Sequence, residues 1–329
     1  MPSTRSGEYS AETLAGSKRR RDETSYANGR RQIMSRFNTI LAIAAFSIAL
    51  GCNSFGPEQK GDSLILSPDD PGITISAEAK AALESVGFTK CAMPFGVFIG
   101  ADKDMPDDYV TTAINVVAEM LDLDKDGTAD DPAVVAEVSK WKERGWLAMP
   151  MDRDKWDNEQ LPKLSGLLGY DIIIPDWWMR TKPTGPDTRG RAVIVEEVSH
   201  FLAQFGYGIV YPAQFGSDDW TSVIARETQR AQCDWWQHPE NDCPGSPATT
   251  EGDCSGPSCD VLEFYQQVAT LRAGMQPGWF GIGFPRTKED LEGLLSQEIK
   301  DVMDDPRYHQ INRPLTFDYY QTVGASEQD

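Results

Sequence analysis

Pro106-Asp107-Asp108-Tyr109-Val110-Thr111-Thr112-Ala113-Ile114-Asn115-Val116-Val117-Ala118-Glu119-Met120-Leu121 runs directly into Asp122-Leu123-Asp124-Lys125-Asp126-Gly127-Thr128-Ala129-Asp130-Asp131-Pro132. Pro106 suits the start of a helix, where a missing N–H costs nothing, and Asp107 and Asp108 suit its positive end. Val110, Ala113, Ile114, Val117, Met120 and Leu121 then recur with helical spacing. Pro132 opens a second helix, with Val134, Val135, Val138 and Trp141 as its inner face. Two helices therefore flank a turn of alternating aspartates.

Working outward, Ser76 to Val86 has helical spacing, and Phe95 to Gly100 reads as a buried strand. Trp146 to Met149 and Tyr170 to Ile174 read as further strands. Ala192 to Phe205, Asp260 to Arg272 and Lys288 to Met303 read as helices. Strands alternate with helices early and helices dominate later. This pattern predicts an α+β fold: a single mixed domain over 76–329, with a helix-rich C-terminal half and a cysteine-rich excursion at 233–259.

The aspartate turn carries the sharpest chemistry. Alternating carboxylates on one side of a turn suit a hard cation that wants oxygen ligands, and close aspartates repel one another without one. Gly127 permits the sharp turn. The segment resembles an EF-hand loop, with Asp122, Asp124 and Asp126 at its first, third and fifth positions. Gly127, Thr128 and Asp130 match the sixth, seventh and ninth. The resemblance implies calcium held by these side chains and the Thr128 carbonyl. The twelfth position is Ala133 in place of the usual glutamate, so the loop closes through Asp130 or Asp131. A single loop implies a structural ion rather than a sensor. The alternative is a solvated acidic turn.

A second candidate site is Glu196-Glu197-Val198-Ser199-His200 within the helix from Ala192. At 100° per residue, Glu196, Glu197 and His200 share one arc. The segment resembles the H-E-x-x-H helix of zincin metallopeptidases, with Glu196 where the first histidine belongs. That resemblance implies His200 and Glu196 as ligands of zinc or another transition metal, Glu197 as the general base, and Glu263 as a third ligand. Carboxylate in place of imidazole weakens Lewis acidity, so the centre is either a hydrolase or a metal-holding relic. The alternative is a plain solvated face, because Gln204 shares the arc and Glu263 shares its helix face with Asp260 and Gln267. No G-x-S-x-G elbow occurs.

Export signals precede all of this. Residues 1–33 are polar, either a disordered leader or a stretch upstream of a true start at Met34. Residues 34–51 read as a signal peptide, with Arg36 ahead of an uncharged run from Thr39 to Leu50. Arg30-Arg31 admits a twin-arginine signal. Ile48-Ala49-Leu50-Gly51-Cys52 resembles the lipobox of bacterial lipoproteins, which implies acylation at Cys52, a membrane anchor and a cell-envelope location. Ordinary signal cleavage nearby is the alternative. Residues 52–75 read as a tether.

The whole chain carries a net charge of -20. Residues 1–51 hold eight basic and four acidic residues, so the remainder carries −24. Such a surface repels phosphate backbones and excludes nucleic acid as a partner. Cys52, Cys91, Cys233, Cys243, Cys254 and Cys259 are the six cysteines. In an oxidising compartment the last four suggest local disulfides, Cys254 with Cys259 and Cys233 with Cys243. Trp177-Trp178 and Trp235-Trp236 admit a further reading, a non-catalytic binding or adhesion module for a protein or peptide.

From about Phe95 to Tyr320 the chain is similar to an uncharacterised family of secreted proteins. The residues that carry this are Leu121 to Gly127, Glu196 to His200, Gly206-Tyr207, Tyr211-Pro212, Phe215-Gly216, Cys259 with Glu263-Phe264, and Asp305 to Tyr308. The resemblance implies secretion and names no reaction.

Overall fold

The computed structural model describes residues 64–164, 170–172, 188–236, 257–275 and 283–326. The chain divides into Met1–Cys52 and Asn53–Asp329, and every described residue belongs to the second unit. The leader, the signal segment and Cys52 lie outside the described residues.

The fold is α+β, as the alternating pattern predicts. β1 (Phe88–Ala92), β2 (Ile99–Asp102), β3 (Trp146–Met149) and β4 (Tyr170–Ile172) form one sheet in sequence order. β1 runs antiparallel to β2, while β2–β3 and β3–β4 are parallel. Strand alternation sends side chains to both faces. Ile99, Ala101, Leu147 and Met149 join the larger core, whereas Phe98, Trp146 and Ala148 join a smaller one with Phe88 and Trp156. A sheet covered on both faces follows from its parallel strands, whose crossovers lay helices against it.

The helices that matter for the sites are α1 (Ala77–Ser85), α2 (Asp107–Leu121), α3 (Pro132–Val138), α4 (Thr188–Leu202), α5 (Val223–Asp234), α6 (Pro257–Arg272), α7 (Lys288–Leu294), α8 (Gln297–Asp304) and α9 (Tyr319–Ser326). α2 and α3 belong to the crossover from β2 to β3 and carry the aspartate loop between them. α2 packs along α4, and α6 packs against α4, α5 and α7. Val134, Val135 and Val138 are buried as expected, but α3 stops at Val138 and Trp141 begins a separate short helix.

Three local readings need correction. The expected strand from Phe95 begins only at Ile99, because Pro94 and Gly96 (φ 80) close a 3-10 turn with Phe95 at φ 48. The expected helix from Lys288 to Met303 breaks at Leu295, whose ψ of 141 is extended. Ser296 then caps α8, its Oγ accepting the Ile299 N–H, a bond that favours a fresh start over a continuous helix. α5 was not expected at all. Its residues are mostly polar, yet Ser222 caps it and Ile224, Ala225, Thr228 and Ala231 are buried.

Candidate metal centres

The aspartate loop begins where α2 ends. Lys125 (φ 59) and Gly127 (φ 87) take left-handed backbone, which turns the chain sharply enough to bring its carboxylates together. Oxygens of Asp122, Asp124 and Asp130 lie within 4.8 Å of one another. Two oxygens bound to one calcium ion at about 2.3–2.6 Å can be up to about 5 Å apart, so the trio is near the spacing that a shared ion requires.

The other loop residues take different tasks. The Asp126 N–H reaches Oδ1 of both Asp122 (3.3 Å) and Asp124 (3.2 Å), and its own Oδ1 accepts the Thr128 N–H at 2.7 Å. Asp126 lies outside the trio. So does Asp131, whose Oδ1 accepts the N–H groups of Ala133 and Val134 and caps α3. Its Oδ2 accepts the Tyr211 hydroxyl at 2.7 Å. Between the two candidates for closing the loop, Asp130 is the one that faces inward with Asp122.

Burial pushes the Asp122 carboxyl up, against the lowering effect of the Tyr319 hydroxyl and the Gly127 N–H. Burial also pushes Asp130 up, opposed by the Leu123 N–H. These anions sit in a low-dielectric setting where positive charge is wanted. The C-terminal segment supplies some of it close by. Glu119 at the end of α2 is fully buried and accepts the N–H groups of Thr316 and Phe317. Arg313 (3.1 Å) and Lys125 (3.4 Å) pair with the same carboxylate. Tyr319 donates to Asp122 Oδ2 at 2.5 Å. The strap from Arg313 to Tyr319 thus clasps the loop from outside, through partners that sequence spacing did not reveal.

The second centre spans two helices. Glu196 and His200 lie one turn apart on α4, and Glu263 comes from α6. One ligand atom from each lies within 4.8 Å of the others. Two ligands at about 2 Å from one transition metal are at most about 4 Å apart, so the centre closes by less than about an ångström. His200 Nε2 is 3.9 Å from Glu263 Oε2, and Nδ1 is 3.5 Å from Glu197 Oε2.

The face is mixed rather than fully solvated: Glu196, Glu197, Gln204 and Glu263 are part-buried, while His200 and its neighbours on α6 are buried. His200 is 8% exposed, and Asp260 and Gln267, expected on the outside of α6, are both 0% exposed. α6 is buried nearly all round, because Leu262 and Gln266 on one side and Asp260 and Gln267 roughly opposite them are all buried. Glu263 Oε2 is buried and accepts no hydrogen bond among the described residues. A buried carboxylate oxygen without a donor is costly unless a cation meets it.

Just beyond His200, the helix widens into a π-turn over Ala203–Tyr207. Such one-turn bulges often occur beside functional sites. Gly206 in that turn lets α3 approach: a Cβ there would sit 2.8 Å from Val134 Cγ1 and 2.9 Å from Val138 Cγ1. The two centres therefore share a packed frame through α2, α3 and α4.

Among the remaining expectations, Cys233 and Cys259 are disulfide-bonded. Cys243 and Cys254, the partners expected for them, lie outside the described residues. Cys91 is a buried thiol, pushed up to about 12 by burial. Trp236 is fully buried, and it and Trp235 both pack on Phe264 and Phe284. That pair is core rather than a docking surface, and Trp177-Trp178 lies outside the described residues. No described helix is long and apolar enough to cross a membrane. No family model matches the chain, and neither curated proteins nor solved structures provide a match.

Proposed function

We propose that the chain is an exported metal-binding protein of the cell envelope, anchored through lipid on Cys52. Asp122, Asp124 and Asp130 hold a structural calcium ion, and Glu196, His200 and Glu263 hold a transition metal such as zinc. The observation that carries this reading is the approach of Glu263 to Glu196 and His200. Helix periodicity brings the first two together, but only tertiary packing delivers the third, and it delivers a carboxylate oxygen with no donor among the described residues.

A second reading, a metallopeptidase-like hydrolase with Glu197 as base, draws on the zincin-like spacing and on Glu197 lying beside His200. Nothing in the tryptophan pair at 235–236 favours an adhesion module.

Elemental analysis of protein purified from the envelope fraction tests the proposal. We expect one equivalent each of calcium and a transition metal, with His200→Ala losing only the latter. Calcium alone in the wild-type protein would eliminate the two-helix centre. Unprocessed, metal-free protein in the cytosol would eliminate both centres and the anchor.

A further inference from the structure

We infer that Glu197 is a positioning residue, which holds the His200 ring in the tautomer that turns a lone pair on Nε2 toward Glu196 and Glu263. The inference rests on reading Glu196, His200 and Glu263 as a metal centre, and it assigns Glu197 a task other than that of a base.

The two ring nitrogens face different carboxylates. Nδ1 lies 3.5 Å from Glu197 Oε2, and Nε2 lies 3.9 Å from Glu263 Oε2. A neutral imidazole has one proton to place and one lone pair. With a cation between Glu196, Glu263 and the ring, the division is forced: the lone pair on Nε2 goes to the metal, and the proton stays on Nδ1 beside Glu197. A carboxylate on the outer nitrogen of a metal-bound histidine fixes ring orientation and raises ligand basicity. A shift of a few tenths of an ångström brings the 3.5 Å pair into the hydrogen-bond range of about 2.7–3.2 Å.

Burial agrees with this division. His200 Nε2 is a buried atom, and Glu197 beside Nδ1 is 25% exposed against 19% for Glu263 beside Nε2, so Nδ1 lies on the slightly more open side. A general base must reach the water it activates, and that water would be held beyond Nε2. Glu197 Oε2 lies by the opposite edge of the ring. The zincin-like spacing is thus kept, while the side chain at the base position serves the ligand. The centre this describes binds metal without a hydrolytic base.

The test uses the full chain loaded with calcium and titrated with zinc. Ring 15N NMR of the wild-type zinc complex is expected to show His200 protonated on Nδ1 and metal-bound through Nε2. Chelator competition is expected to show zinc affinity falling about 10–100-fold in Glu197→Ala and within about threefold of wild type in Glu197→Gln, which keeps an acceptor. A proton on Nε2 in the zinc complex, or equal affinity in wild type and Glu197→Ala, would overturn the assignment while leaving the metal centre standing. Should wild type bind no zinc at all, the centre itself fails and the assignment with it. If Glu197→Ala does not fold, the wild-type tautomer still decides.

Discussion

The aspartate loop and the two-helix centre gather comparable groups of candidate ligands by opposite routes. The loop collects Asp122, Asp124 and Asp130 from nine consecutive residues, using left-handed backbone at Lys125 and Gly127. The two-helix centre collects Glu196, His200 and Glu263 from helices that meet only after the core has formed. Their surroundings differ in the same sense. The loop carboxylates are satisfied by N–H groups and by Tyr319, with Lys125 and Arg313 nearby on Glu119. Glu263 Oε2 has no hydrogen-bond donor among the described residues. A local site can be built to stand without its ion. A site assembled between buried helices would lean on a bound ion for its charge balance.

That contrast is open to attack, beginning with the largest effect. Glu119→Ala takes a carboxylate from Arg313, leaves Lys125 only its pair with Asp318, and strips the acceptor from the Thr316 and Phe317 N–H groups. Leaving these two N–H groups without their acceptor costs about 1–3 kcal/mol each, so urea unfolding should shift strongly. An unchanged midpoint would mean the strap does not hold the loop. Chelating calcium should have the next largest effect. For an ion present at a hundred times its Kd, removal costs about 2.7 kcal/mol, read as a lower Tm that returns on adding calcium. Loss of helical signal beyond α2 and α3 would show that the loop cannot stand alone.

Asp131→Ala removes the α3 cap and orphans the Tyr211 hydroxyl, for about 1–3 kcal/mol. We expect calcium affinity to stay within about threefold of wild type, because Asp131 lies outside the ligand trio; an affinity loss of about a hundredfold would restore it as a ligand. The smallest expected change is Glu263→Gln in metal-free protein. Neutralising a carboxylate that has no donor among the described residues should raise stability, by about 1 kcal/mol. A drop as large as that of Glu119→Ala would show that the two-helix centre is an ion-pair network rather than a site awaiting a metal.

The same contrast explains what could be read from sequence. Helix α2, the loop and the start of α3 were legible because Pro106, the apolar period, the aspartates and Pro132 all act over short range. The α+β pattern and the spacing of Glu196 with His200 were legible for the same reason. The interior position of Asp260 and Gln267 was not. On helical geometry alone they belong to a polar stripe, and only packing on several sides of α6 buries them. Helix α5 was hidden by its polar composition. The break at Leu295 was hidden because Ser296 reads as an ordinary helix residue until its Oγ is seen capping α8. The division of labour among Asp126, Asp130 and Asp131 depends on Tyr211 and on the α3 N-terminus, which spacing within the loop does not disclose.

Crystals of the full chain grown with calcium and soaked in zinc would put the account to its sharpest trial, through anomalous scattering measured on either side of the zinc edge. We expect one zinc peak within bonding distance of Glu196, His200 and Glu263, and none within the Asp122–Asp130 loop. Zinc confined to the loop, or no ordered zinc at all, would contradict a metal centre between the two helices.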